Sequence, residues 1–183
     1  MKALMIRHAA STGQANDAPL TEEGLAGAAA LAPVLQSLGA GPLYSSPYLR
    51  ARQTLAPYAE AAGLSVTPLE DLRERLLSSE DLPDWQAHLR RSFFNTLYAA
   101  PGGESHTHVY VRATRALRQI EEAGGDCPTF VTHGGVIAAL LSRVDGSYRF
   151  EDWQEMRTPD LFEVEIVDRR IRSFRQLDTT LTV

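Results

Sequence analysis

The chain contains 183 residues, 44% of them hydrophobic and 22% charged, values of an ordinary globular domain that exclude disorder over most of its length. Asp and Glu outnumber Lys and Arg by 23 to 18, and the resulting charge of −5 offers nucleic acid no global attraction. One cysteine, Cys127, allows neither an internal disulfide framework nor a cysteine-based zinc site.

The opening segment, MKALMIRHAA, has too short an apolar stretch for a signal-peptide core, and no apolar run approaches the ~20 residues needed to span a bilayer. The expectation is one soluble, cytoplasmic domain. Ala3–Ile6 reads as a buried strand that ends at Arg7 and His8. Thr21 caps a helix with Glu22 and Glu23 in its first turn. Leu25, Ala28, Ala29, Ala32, Leu35 and Leu38 form its stripe, Pro33 predicts a kink or early stop, and Gly39 closes it. Residues 42–45 predict a second strand. Ser46-Pro47 fits an N-cap followed by proline at the first helical position, with a helix from about Tyr48 to Ala62 and a stop at Gly63. Leu64–Leu69 is extended, and Pro68 argues for a sheet edge.

Residues 71–104 are less regular and read as a small helical cap insertion. Within them, Trp85, Leu89, Phe93 and Leu97 fall four apart, a helical stripe that is either core or substrate wall. Ser105 caps a helix marked by Val109, Ala113, Ala116, Leu117 and Ile120, which ends near Gly124-Gly125. Thr129–Thr132 is an apolar strand ending at His133, and Gly134-Gly135 open another helix. Leu161–Val167 and Arg170–Leu177 form a strand pair around the Asp168-Arg169 turn, with the arginines at 169, 170, 172 and 175 on its solvated face. Such alternation predicts a three-layer α/β/α sandwich around a mostly parallel central sheet.

Both His8 and His133 follow directly on a strand. In an open α/β sheet, ligands bind beyond the carboxyl ends of the strands, so the two imidazoles can converge on one pocket. Arg50 lies in the first turn of the helix after Ser46-Pro47, at the same rim. A helix N-terminus suits an anion, and a guanidinium offers phosphate a fixed fork of donors. Taken singly, each of these residues also reads as a hydrogen-bonded bystander or a surface ion pair. Taken together, Arg7, His8, Arg50 and His133 make a cationic cup for a phosphoryl group. Arg52, two residues on, points away.

These motifs, in this order, resemble the histidine phosphatase superfamily, in its phosphoglycerate mutase-like branch. The matching segments are MIRHAAST, PLTEEG, SSPYLRARQT, LRER, GGES and VTHGGVI. The resemblance implies a covalent mechanism in which His8 takes the phosphoryl group on a ring nitrogen. It implies that Arg7, Arg50 and His133 stabilise the transferring oxygens and that Glu74 supplies the leaving-group proton. Glu104 is an alternative acid. Ser11 stands where the family has a phosphate-binding threonine, Gly134 offers a main-chain N–H, and Gln14 and Asn16 compete for the family's asparagine position. Ala9 replaces the usual glycine after the histidine, where a positive φ would strain it. Gly27 stands where relatives carry glutamine, and LLSSEDLPDW replaces the pattern usual after Glu74.

The expected activity is metal-independent hydrolysis of a small phosphorylated metabolite, without cofactor or bound metal. Alternatives are a phosphoglycerate mutase-like phosphotransferase and a phosphate-binding module without turnover. Mutases of the family carry a fuller cap, which favours the phosphatase. No nucleic-acid or membrane partner is expected, and a homodimer through an exposed sheet edge is compatible with the pattern. His106 and His108 lie at a helix start, where positions two apart diverge, so no metal site is expected there. No P-loop and no Gly-x-Ser-x-Gly elbow is present.

Overall fold

The computed structural model describes residues 1–178. Among the described residues six strands form one sheet: β1 (Lys2–Arg7), β2 (Leu43–Ser45), β3 (Val66–Pro68), β4 (Thr129–Thr132), β5 (Asp160–Val167) and β6 (Arg170–Leu177), in the order β3-β2-β4-β1-β5-β6. The first four in that order run parallel, and β5 and β6 add an antiparallel hairpin. Pro68 lies on the edge strand, where its missing N–H costs no ladder bond.

Alternation along the strands splits the core into two layers. Ala3, Met5, Tyr44, Phe130, Phe162, Val164 and Ile166 face one side, under α4 (His106–Ala123) and α5 (Gly134–Leu141). Leu4, Ile6, Leu43, Val131 and Leu161 face the other, under α1 (Glu22–Ser37) and α2 (Leu49–Ala62). The sandwich is the expected one. The link from β3 to α4 holds a 3-10 turn (Glu70–Leu72), an irregular stretch and α3 (Trp85–Phe94). α6 (Phe150–Glu155) lies between α5 and β5.

Local chemistry explains most helix ends. The Thr21 hydroxyl accepts the Gly24 N–H at 3.0 Å, a cap that contributes about 1 kcal/mol. Gly63 closes α2 in the left-handed region at φ 65°.

Four local expectations need correction. α1 runs through Pro33 to Ser37, because Pro33 and the carbonyl-bearing Ala29 lie on its solvent face, where water can satisfy the freed oxygen. Its buried stripe is Gly24, Ala28, Leu31, Val34 and Leu35, whereas Leu25 is 49% exposed. Ser46 does not cap α2. Tyr48 holds the N-cap position, and the Ser46 hydroxyl accepts the Tyr48 N–H at 3.3 Å and contacts His133. Of the stripe predicted over 85–97, Leu89 and Phe93 enter the core and Trp85 is 43% exposed, while Leu97 lies beyond the end of α3 and is 75% exposed.

Candidate active site

The register of the parallel strands builds the site. Arg7 pairs with Thr132 across β1 and β4, so His8 and His133 step off the sheet side by side. Their ring centroids lie 5.0 Å apart, edge to face. β2 flanks β4 on its other side, with Ser45 opposite Val131. Ser46 therefore leaves the sheet next to His133, and its Oγ lies 2.7 Å from His133 Nε2.

His8 has a defined tautomer. Nδ1 lies 2.7 Å from the Ala9 carbonyl, which can only accept, so Nδ1 carries the proton. Nε2 then holds the lone pair, and Arg50 Nε donates to it at 3.2 Å. Burial, with Arg50 and Arg7 nearby, lowers the His8 pKa to about 4. The ring is therefore neutral at pH 7. His133 is fully buried, and desolvation together with His8 and Arg50 holds its pKa well below the usual imidazole value.

Arg50 is fully buried; its Nη1 donates to the Gln14 and Ala15 carbonyls at 3.3 and 2.8 Å. Thr54, one turn further along α2, donates to the Arg50 carbonyl and accepts the Ala9 N–H. That pair fixes the loop after His8 against α2. Ala9 shows no positive φ, so the glycine-to-alanine departure brings no backbone strain. Arg7 Nη1 donates to the Met156 carbonyl at 2.6 Å, which leaves its Nε beside the start of α5. Among the described residues, Arg7 Nε, Arg50 Nη2, His133 Nδ1 and Trp153 Nε1 are buried without a hydrogen-bond partner.

A cavity of about 740 Å³ opens over this cup. Arg7, His8, Gln14, Glu74, Gly134 and Trp153 line it, while Arg50 and His133, both fully buried, do not reach its surface. Gly134 and Gly135 begin α5, whose N-cap residue His133 makes no side-chain cap bond. Both glycines let a site side chain approach the backbone closely. A Cβ on Gly134 would stand 2.9 Å from Trp153 Nε1 and 3.4 Å from Arg7 Nε; one on Gly135 would stand 2.7 Å from Glu74 Oε1. Gly135→Ala is expected to displace the Glu74 carboxyl and lower kcat by about 10- to 100-fold. Gly146→Ala, where nothing lies near, is the neutral control for a parallel assay of activity and melting temperature.

Glu74 Oε1 accepts the Arg75 N–H at 2.7 Å. Burial raises its pKa above the usual 4.5, although that N–H, Arg50 and Arg7 pull the other way. Glu104 behaves in the opposite manner. Its two oxygens accept Arg112 Nε and Nη2 at 2.8 and 2.9 Å, Arg73 Nη2 at 3.2 Å and the Leu76 N–H at 3.1 Å. Burial alone would raise its pKa, but these donors hold it below the usual value. It does not line the cavity, and four donors hold it as a hydrogen-bond acceptor.

The structure brings Arg7, His8, Arg50, Glu74, His133 and Gly134 together and leaves Ser11 out. The Ser11 hydroxyl donates to the Gly13 carbonyl at 3.1 Å, within its own loop, and makes no hydrogen bond to the other site residues. Gln14 lines it, whereas Asn16 and Arg52 line a separate shallow groove. Sequence reasoning misses Ser46, Trp153 and Arg112. Arg112 is buried and donates to the Asp71 carbonyl at 2.8 Å and the Glu74 carbonyl at 3.3 Å. It thereby ties the Glu74 backbone to α4.

His106 packs edge to face on Phe93 and contacts Ser92 Oγ at 3.3 Å, while His108 takes part in the cap of α4. Among the described residues no group of three His, Cys, Asp or Glu is placed to hold a metal, and no helix is long and apolar enough to cross a membrane.

Comparison with known proteins agrees with the geometry. The family model described as "Histidine phosphatase superfamily (branch 1)" matches residues 3–178. The chain belongs to the histidine phosphatase superfamily. A member named "Probable phosphoglycerate mutase GpmB", from Yersinia pestis (strain Pestoides F), is 31% identical over 140 residues. That match covers 72% of this chain and 65% of the relative, so the chain spans just under two thirds of the curated protein. A mycobacterial glucosyl-3-phosphoglycerate phosphatase solved with inorganic phosphate superimposes with a TM-score of 0.75 at 27% identity, covering 97% of this chain and 95% of that one. TTHB049 from Thermus thermophilus is 30% identical, with a TM-score of 0.65 over 97% of this chain and 100% of that one. A histidine phosphatase fold thus carries this cup.

Proposed function

We propose that the protein is a phosphatase that hydrolyses a small phosphomonoester through a phosphohistidine on His8. The observation that carries the reading is the buried cluster of unpartnered donors. Burying a guanidinium costs several kcal/mol unless something compensates it. Here Arg7 and Arg50 keep donors free beside a neutral imidazole with its lone pair on Nε2. A dianionic phosphoryl group compensates that cost.

The chemistry follows from the positions. His8 Nε2 attacks phosphorus, a P–N bond forms, and the ester P–O bond breaks. The leaving alkoxide takes its proton from the Glu74 carboxyl. The resulting Glu74 carboxylate then takes a proton from water, whose oxygen attacks phosphorus. The P–N bond breaks, inorganic phosphate leaves and both residues return to their starting states. Arg7, Arg50 and the α5 N-terminus neutralise the equatorial oxygens, the main demand of phosphoryl transfer. Cationic side chains supply this, so we read the reaction as metal-independent.

The relative's name raises a mutase as the second reading, in which the phosphoryl group returns to a sugar-acid hydroxyl instead of to water. The purified protein, treated with EDTA, is expected to release p-nitrophenol and phosphate in equal amounts from p-nitrophenyl phosphate. Turnover that vanishes on chelation and returns with a divalent metal would sink the metal-independent reading.

A further inference from the structure

The phosphoryl cup fills only the inner end of the cavity, and the outer chamber has a composition of its own. Its walls are Leu76, Leu82 and Trp85, with Glu80 and Asp81 at the mouth. Trp85 and Leu76 are 43% and 50% exposed, so their apolar faces are available to a ligand. The one arginine of this wall turns its head away. Arg75 Nε donates to the Glu104 carbonyl and Nη1 to Ser92 Oγ, both at 2.8 Å, beneath α3. An alcohol held with its phosphate in the cup therefore meets apolar surface and carboxylates.

Building on the phosphatase reading, we infer that the leaving alcohol is an uncharged, largely apolar or aromatic group, and that the chamber discriminates against a second anion such as the carboxylate of phosphoglycerate. Two physical terms act together. A planar apolar group against Trp85 and Leu82 removes hydrocarbon surface from water. A carboxylate in the same place loses hydration next to Glu80 and Asp81, and the arginine of that wall, Arg75, is only 7% exposed, with Nε and Nη1 engaged and its unpartnered Nη2 shielded from solvent. The curated relative is named for a substrate carrying that carboxylate. This chain's chamber selects against it, so the substrate class differs from the one in the relative's name.

Three primary alkyl phosphates with comparable leaving oxygens test the inference: 2-phenylethyl phosphate, glycerol 3-phosphate and 3-phosphoglycerate. The expected order of kcat/KM is phenylethyl above glycerol above phosphoglycerate, with about 10-fold at the first step and several-fold at the second. Trp85→Ala should erase most of the first step. Glu80→Gln combined with Asp81→Asn should erase most of the second. Phosphoglycerate turned over as well as glycerol 3-phosphate by the unsubstituted protein overturns the inference, and so does a charge ratio that the double substitution leaves unmoved. Failure of the phosphatase reading looks different, because p-nitrophenyl phosphate is then not hydrolysed either. In that event quenching of Trp85 and Trp153 fluorescence ranks the same three esters by affinity, and tighter binding of phosphoglycerate overturns the inference.

Discussion

His8→Ala is expected to lower kcat by ~10⁴-fold or more, the scale of removing a catalytic nucleophile. Two features make the loss large. Nε2 carries the lone pair because Nδ1 is held by the Ala9 carbonyl, and a pKa of about 4 keeps it available at neutral pH. The neighbouring His133 is fully buried with its Nε2 2.7 Å from Ser46 Oγ, so the loss of His8 leaves no second imidazole on the cavity surface. The phosphate cup survives the substitution, since Arg7 is anchored by the Met156 carbonyl and Arg50 by those of Gln14 and Ala15. Inorganic phosphate should therefore still bind and the fold should still melt cooperatively. Rapid acid-free quenching of the unsubstituted protein with labelled ester should trap one acid-labile phosphoryl group per chain, absent from the variant. A variant that retains a tenth of the turnover would mean direct attack by water, and the covalent route would be abandoned.

What is legible in the sequence is what depends on short-range order. His8, His133 and Arg50 are each placed by one local event, the end of a strand or the start of a helix, and the parallel pairing of β1, β4 and β2 then brings those events to one rim. Glu74 and Gly134 are marked by motif, and the cavity assembles around both. The residues that escape act over distance. Arg112 reads as one more charge on a helix, and only the fold shows it buried against Glu104 and the Glu74 carbonyl. Trp153 sits on α6, six residues long and under two turns, too short for a periodicity to emerge. Ser46 reads as a helix cap because serine before proline usually is one; the neighbouring His133 imidazole takes its hydroxyl instead. Ser11 has motif position alone in its favour, and its loop turns the hydroxyl inward.

Glu74→Gln should separate substrates by how much their leaving group needs a proton. With an alkyl phosphate such as glycerol 3-phosphate the expected loss in kcat/KM is ~10²- to 10⁴-fold. With p-nitrophenyl phosphate, whose phenolate leaves unaided, the loss in the first step should be far smaller. The pH profile carries the same signature, with the sign set by two opposite shifts. His8 must be neutral, so kcat/KM falls as pH drops through about 4. Glu74 must hold its proton, so kcat/KM falls as pH rises through its pKa, which burial places above the ordinary 4.5. Glutamine cannot titrate, so the alkaline limb should vanish from the variant while the acid limb stays. Dividing one profile by the other cancels the ionisation of the ester, common to both. Glu104 cannot produce this pattern. Its pKa lies below the ordinary value, so an acid at that position would place the alkaline limb on the other side of 4.5 and leave it untouched by the change at Glu74. Equal losses in kcat/KM with both esters, or an alkaline limb that persists, would remove Glu74 from the role of acid and leave the leaving oxygen to be protonated by some other donor in the cup.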